Sequence, residues 1–295
     1  MTSAELDRRA FLARLGLLSA VAGGSLALPV GANAASLSAS QDDLIVLLRQ
    51  VLTELTRDTF TGLAAFVVPG QDAYSTAQGT PRAEPGGVNA GGADYLTGMF
   101  DRFVALPDDI ARGISGALAG ALAEVPVTLP PDLPELPPGT ADTIAEAVQV
   151  VLSGPQALPF SQIIGLLMNV AATAVDPASA HGQFLSPFAR LSFGEKAVAF
   201  QLLEDPDSPL MAAIRGQLPE SVQGLVGGLV PYLVGGLLAF PAFGIYSEWS
   251  AFDAEARLLK SRPVGWDISR YDPGVLDGWD DFIGYYQGRR RAVNA

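Results

Sequence analysis

The sequence predicts an all-α fold: an irregular helical bundle with long loops, a proline-rich loop and an aromatic C-terminal extension. Three observations point there. Apolar residues recur at three- and four-residue steps over long stretches, the mark of amphipathic helices. No stretch keeps the period-two alternation of a half-buried strand, and no Asn-Gly or Asp-Gly pair joins two such runs as a hairpin. No segment repeats at a solenoid period.

The first 34 residues read as a twin-arginine signal peptide. Asp7, Arg8, Arg9, Ala10, Phe11 and Leu12 form its core, and an uncharged stretch follows from Leu15 to Ser40. Ala32-Asn33-Ala34 is a small-residue cleavage site. The targeting residues are thus Arg8, Arg9, Phe11, Leu12, Ala32 and Ala34. Such a leader suits the Tat translocase and places the mature protein in the periplasm, the cell envelope or outside the cell. Residues 35–295 are expected to form a single helical domain.

The mature chain opens on a long amphipathic helix, Gln41–Val68, with Leu44, Leu47, Leu48, Val51, Leu52 and Leu55 on its apolar side. Pro69-Gly70 stops it. Gln71–Gly92 is loop. A second helical region starts near Gly92 and carries Tyr95, Leu96, Met99, Phe100, Phe103 and Val104, until Pro107 interrupts. Asp108 and Asp109 occupy the first turn of a helix running to about Glu124, where acids suit the helix dipole. Six prolines between Pro126 and Pro138 make a stiff, extended loop. Thr140 caps a helix through Val151. Another spans roughly Ser161–Val175, and Ser192, Gly194 and Glu195 open one through about Leu203.

Residues 221–247 carry no charge. That run is long enough to span a bilayer. Pro231 and Pro241 interrupt it, its glycine pairs weaken a helix, and no basic cluster flanks it. The expected reading is a buried central helix; a membrane span and an apolar partner-binding helix are the alternatives.

Composition excludes several kinds of chemistry. The 295 residues include no Cys and one His, so disulfides, thiolate metal sites and multi-histidine sites are ruled out. With 31 acids and 18 bases the net charge is −13, which argues against nucleic acid as a partner. Charged residues are 17%, against roughly 25% in a typical soluble domain. The leader does not cause this: it holds five charges of 49, leaving 44 in 261 residues, still about 17%.

No GxSxG, GxGxxG, P-loop or HExxH motif occurs. His181 follows a loop, Asp176–Ala180, and is expected to be a surface or capping residue; a triad needs only one His, so an exported hydrolase is an alternative function. A helical binder of a lipid or steroid is another. Asp108-Asp109 and Asp280-Asp281 are adjacent on their segments, pointing about 100° apart on a helix, and read as solvated helix-end charges. Arg289-Arg290-Arg291 reads as a solvated basic tail. No catalytic, cofactor-binding or metal-binding residue is assigned.

Residues 246–295 are an aromatic segment. All three tryptophans lie within 31 residues of one another. Large amphipathic rings pack well onto a helical body and also carry interface energy. The partner-interface candidates are Trp249, Trp266, Tyr271, Trp279, Tyr285 and Tyr286.

Four features together resemble small subunits of the gluconate 2-dehydrogenase subunit 3 type, especially exported actinobacterial ones. They are the leader with Arg8 and Arg9; the helix end Phe66-Val67-Val68-Pro69-Gly70; the loop from Pro85-Gly86-Gly87 through Ala90-Gly91-Gly92 to Leu96; and the tail Gly265-Trp266-Asp267-Ile268-Ser269-Arg270-Tyr271. The Pro126–Pro138 tract and the 221–247 run are longer and more hydrophobic than that family's pattern. The resemblance implies an accessory subunit without a cofactor of its own. Its partner would be a large flavoprotein subunit of the glucose-methanol-choline oxidoreductase type, carrying FAD, sometimes with a cytochrome c subunit. The small subunit would aid that partner's Tat export, maturation or stability.

Overall fold

A computed structural model describes residues 41–104, 107–123, 140–154, 157–180, 182–216 and 220–272. The expected signal peptide (residues 1–34), the Pro126–Pro138 tract, His181, Asp280-Asp281, Trp279, Tyr285, Tyr286 and Arg289–Arg291 lie outside those residues. Several side chains in helices also lie outside the description, among them Leu44, Leu47 and much of 221–231.

The described chain is all-α apart from one two-residue β-ribbon. Its helices are α1 (Gln41–Val67), α2 (Ala73–Ala77), α3 (Gly92–Arg102), α4 (Asp108–Ala123), α5 (Thr140–Ser153), α6 (Phe160–Val175), α7 (Pro187–Arg190), α8 (Phe193–Glu204), α9 (Pro209–Gly216), α10 (Glu220–Ile245) and α11 (Val264–Ser269). The long predicted helices stand within a residue or two of their expected ends. The short ones, α2, α7, α9 and α11, carry too few turns for periodicity to reveal them.

Helix α1 is the hub of the bundle, packing against α3, α5, α6, α7 and α10. Leu48, Val51, Leu52, Leu55, Phe60 and Leu63 form its buried stripe. Two close approaches bring neighbours onto it. Gly62 lets α7 in: a Cβ there would lie 2.8 Å from the Cα of Ala189. Gly165 of α6 lies against Thr56, where a Cβ would stand 3.0 Å from the hydroxyl oxygen and 3.3 Å from the Cα.

The buried central helix is α6, not the 221–247 run. Thirteen of its sixteen residues are buried, because α1, α3, α4, α7 and α8 surround it. It carries polar residues, all of them partnered. Asn169 is fully buried; its Nδ2 donates to Thr59 Oγ1 at 2.9 Å and its Oδ1 accepts from the Phe188 amide at 3.1 Å. Asp101 of α3 caps the start of α6, accepting from the Ser161 amide at 3.0 Å and its hydroxyl at 2.9 Å. These bonds fix the rotation of α6 against α1 and α3, which apolar contact alone leaves loose.

Helix α10 corrects the expectation of burial. Val234, Leu237, Pro241 and Ile245 face the bundle, and Tyr232, Leu238, Ala239 and Phe243 face outward. It lies on the flank, against α3, α8, α9 and α1. Absence of charge does not bury a helix; neighbours on both sides do, and α10 has them on one side among the described residues. Among the described residues no helix is long and apolar enough to cross a membrane.

Helix α8 starts where expected. Ser192 and Glu195 close a reciprocal capping box, with the Ser192 amide donating to Glu195 Oε2 at 2.8 Å. The hydrogen bonds from Ser192 hold the Glu195 carboxyl below its ordinary range. This box orients Lys196, one residue on. Lys196 is fully buried, and its Nζ donates to Gln78 Oε1 at 2.7 Å and to the Gly62 carbonyl at 3.3 Å. It ties α8, α1 and the turn after α2 into one joint.

Candidate functional site

The segments 66–70, 85–96 and 265–271 converge in the fold. Val68 follows α1, and its carbonyl accepts from the Gly87 amide at 2.8 Å. Gly70 and Gly86 touch backbone to backbone: a Cβ on Gly70 would lie 2.3 Å from the Gly86 amide nitrogen. Only hydrogen in place of a side chain permits that approach. Gly92 opens α3 against the Ala64 methyl. Ala64, Val68, Ala90 and Ile245 form a small buried cluster there, with Val264 and Ile268 packed on it. The end of α1, the 85–92 loop, the end of α10 and α11 thus share one floor.

On this floor sits a strap, residues 246–272. Ala251 starts it with a buried turn, its amide donating to the Glu248 carbonyl at 3.0 Å. A β-ribbon follows, β1 (Phe252–Asp253) antiparallel to β2 (Leu258–Leu259), pairing Phe252 with Leu259. Asp253 Oδ1 accepts from the Ala256 and Glu255 amides, both at 3.0 Å, which closes the turn and holds its carboxyl below the ordinary range. The strap returns through α11. Gly265 fits against the Ile245 carbonyl with no room for a Cβ, which would stand 2.6 Å from it.

The aromatic side chains of the strap hold one another. Trp266 Nε1 donates to Glu248 Oε1 at 3.0 Å. The Trp266 and Tyr271 rings meet edge to face at 5.4 Å. Arg262 covers Trp266 at 5.6 Å and pairs with Asp267 at 2.6 Å. Trp249 meets Tyr95 of α3 edge-on at 5.4 Å. Of the six interface candidates, Trp249, Trp266 and Tyr271 therefore lie in one strap. Trp249 is 45% exposed and Tyr271 50%, with Trp266 half-buried between anchor and solvent. Sequence reasoning missed Phe252, Leu258 and Leu259, which are also exposed. Nothing in the sequence marked them, because a two-residue ribbon has no readable period.

A second feature is an open groove of about 670 Å³ along α1, lined by Thr53, Arg57, Asp58, Tyr74, Asp94 and Leu185 among others. Arg57 binds Asp94 through two bonds of 3.0 Å. Asp58 accepts from the Tyr74 hydroxyl at 2.6 Å and from the Ser186 amide at 2.7 Å. Burial and the Asp58 charge push the Tyr74 phenol up, so it stays a donor. Arg190 clips the adjoining loop by donating to the carbonyls of Phe184 and Ser179. Burial pulls its guanidinium down to about 10. These charges all have partners inside the fold, so the groove is built as a brace for the 182–190 loop. The described residues hold no group of three or more His, Asp or Glu arranged for a metal ion.

Comparison with known proteins was made at three levels. No family model matches the chain, no curated protein matches it, and no solved structure matches it.

Proposed function

We propose that this chain is a non-catalytic accessory subunit of an exported, flavin-dependent dehydrogenase of the glucose-methanol-choline type, aiding its Tat export, maturation or stability. The twin-arginine leader and the family resemblance motivate the reading. The observation that carries it is the strap: aromatic residues anchored on a rigid floor, yet left outward. Five acids and four bases fall in residues 246–272, so the strap is nearly neutral in a chain of net charge −13. Exposed Trp, Tyr, Phe and Leu among balanced charges match the large anchors and the polar rim of an interface. FAD would sit in the large subunit, and the strap would dock on that subunit's protein surface.

The test is native purification from the producing cell. The expected result is co-elution with a protein carrying flavin absorbance. The double substitution Trp249→Ala, Tyr271→Ala should weaken that association at least 30-fold, a loss of about 2 kcal/mol, while moving the melting temperature by only a few degrees. Recovery with no flavoprotein at any salt concentration refutes the proposal.

A further inference from the structure

Helix α10 has two unlike faces. The inner face packs on the bundle through Val234, Leu237 and Ile245. The outer face carries Gly224, Gly228, Tyr232, Gly235, Leu238, Ala239, Phe243 and Tyr246, all exposed and spaced to form one continuous strip. Tyr232 is 76% and Phe243 63% exposed, and Tyr246 is 46% exposed. A Cβ added at Gly224, Gly228 or Gly235 would meet no atom within 4 Å. Nothing in the described fold therefore requires glycine there, although glycine weakens a helix.

We propose that this strip pairs two copies of the chain, with antiparallel α10 helices crossing a two-fold axis beside Gly235. The pattern is self-complementary about that position. Reversing the helix about the point between Gly235 and Gly236 sets two large rings against small residues of the second copy: Tyr232 against Ala239 and Phe243 against Gly228. One surface that supplies both knobs and hollows in mirrored order is what an isologous contact needs. The charge distribution selects the same occupant. Two copies of a −13 chain repel over most of their surfaces, and from Ser221 to Ser247 there is no charge to oppose their approach. The area suffices. At about 150–250 Å² per aromatic side chain, the exposed parts of the three rings leave on the order of 350 Å² per chain. Two copies, each ring covering a similar area on the other, reach on the order of 1,200–1,500 Å², the size of a specific interface. This inference stands apart from the accessory-subunit reading: the strip runs along α10 and meets the strap at Tyr246.

The absence of cysteine makes the test direct. Full-length chain carrying Gly235→Cys is treated with a short bismaleimide; the majority should become covalent dimer. A mixture of Tyr232→Cys and Ala239→Cys chains should cross-link at least fivefold more than either alone. Gln50→Cys, exposed on α1, should stay monomeric. Gly235→Leu should weaken self-association at least tenfold by sedimentation velocity, without loss of helical circular dichroism. A full-length chain that stays monomeric at 100 µM, or Gly235→Cys chains that do not cross-link, overturns the proposal. So does finding the strip covered by residues 273–295 of the same chain, by lipid, or by a flavoprotein alone.

Discussion

Lys196 offers the sharpest test of the energetics. Its ammonium group is fully buried beside two neutral acceptors, Gln78 Oε1 and the Gly62 carbonyl. The Phe188 ring lies 5.5 Å away. Asp72 and Asp58 favour the charge from a distance, and burial opposes it more strongly, pulling Lys196 down to about 7. A neutral amine has two N–H donors, and two acceptors are in place, so the uncharged form suits the site. An unfolded lysine holds its proton up to about pH 10.4. Between about pH 7 and 10.4 the unfolded chain therefore binds more protons here than the folded one, and stability rises with pH. At 1.36 kcal/mol per pH unit, the penalty is about 4–5 kcal/mol at pH 7 and about 1 kcal/mol at pH 9.5. Lys196→Met removes this penalty and also orphans two buried acceptors, at about 1–3 kcal/mol each. The variant should thus be close to the parent in stability near pH 7. It should fall behind as pH rises, by about 3 kcal/mol more at pH 9.5 than at pH 7. Urea denaturation of both proteins at pH 6.5, 8 and 9.5 reads this difference, and other titrating groups cancel between them. Parallel stability curves across that range would refute the reasoning, because they would mean Lys196 keeps its proton when folded.

Three further substitutions test the packing. Gly86→Ala should cost about 2–3 kcal/mol in thermal or urea melts, because its Cβ would stand 2.6 Å from Gly70 backbone atoms and the Val68 carbonyl. Gly98→Ala, in open space on α3, should instead be neutral or gain up to about 1 kcal/mol. Asn169→Leu should cost about 3 kcal/mol or more by depriving the buried Phe188 amide and Thr59 hydroxyl of their partner; a loss under 1 kcal/mol would show that water or a shifted helix replaces it.

Much of the helical skeleton was legible. The steps of Leu48, Leu52 and Leu55 give α1, the Pro69-Gly70 stop ends it, and the Ser192 and Glu195 pair starts α8. Each signal is local, carried by residues within one or two turns. The candidate site was legible only in part. Trp249, Trp266 and Tyr271 were marked by residue type and do share the strap, but Phe252, Leu258 and Leu259 join them through a ribbon too short to have a pattern. The burial of Lys196 left no sequence signal at all, since its acceptors come from 118 and 134 residues away.

The sequence by itself determined which long segments are helical, where they begin and end, and that their apolar stripes must find a common core. Periodicity, caps and breakers act over a few residues, so the chain carries that information at short range. Tertiary structure decided which helix is buried. The uncharged α10 and the polar-studded α6 trade the places their compositions suggest, because α6 has neighbours all round and α10 is packed on its inner face. It also decided that an acidic, sparsely charged chain would leave apolar residues outward, along the uncharged 221–247 run and among the balanced charges of the strap. Burial belongs to the arrangement of neighbours in space, and no count along one segment contains it.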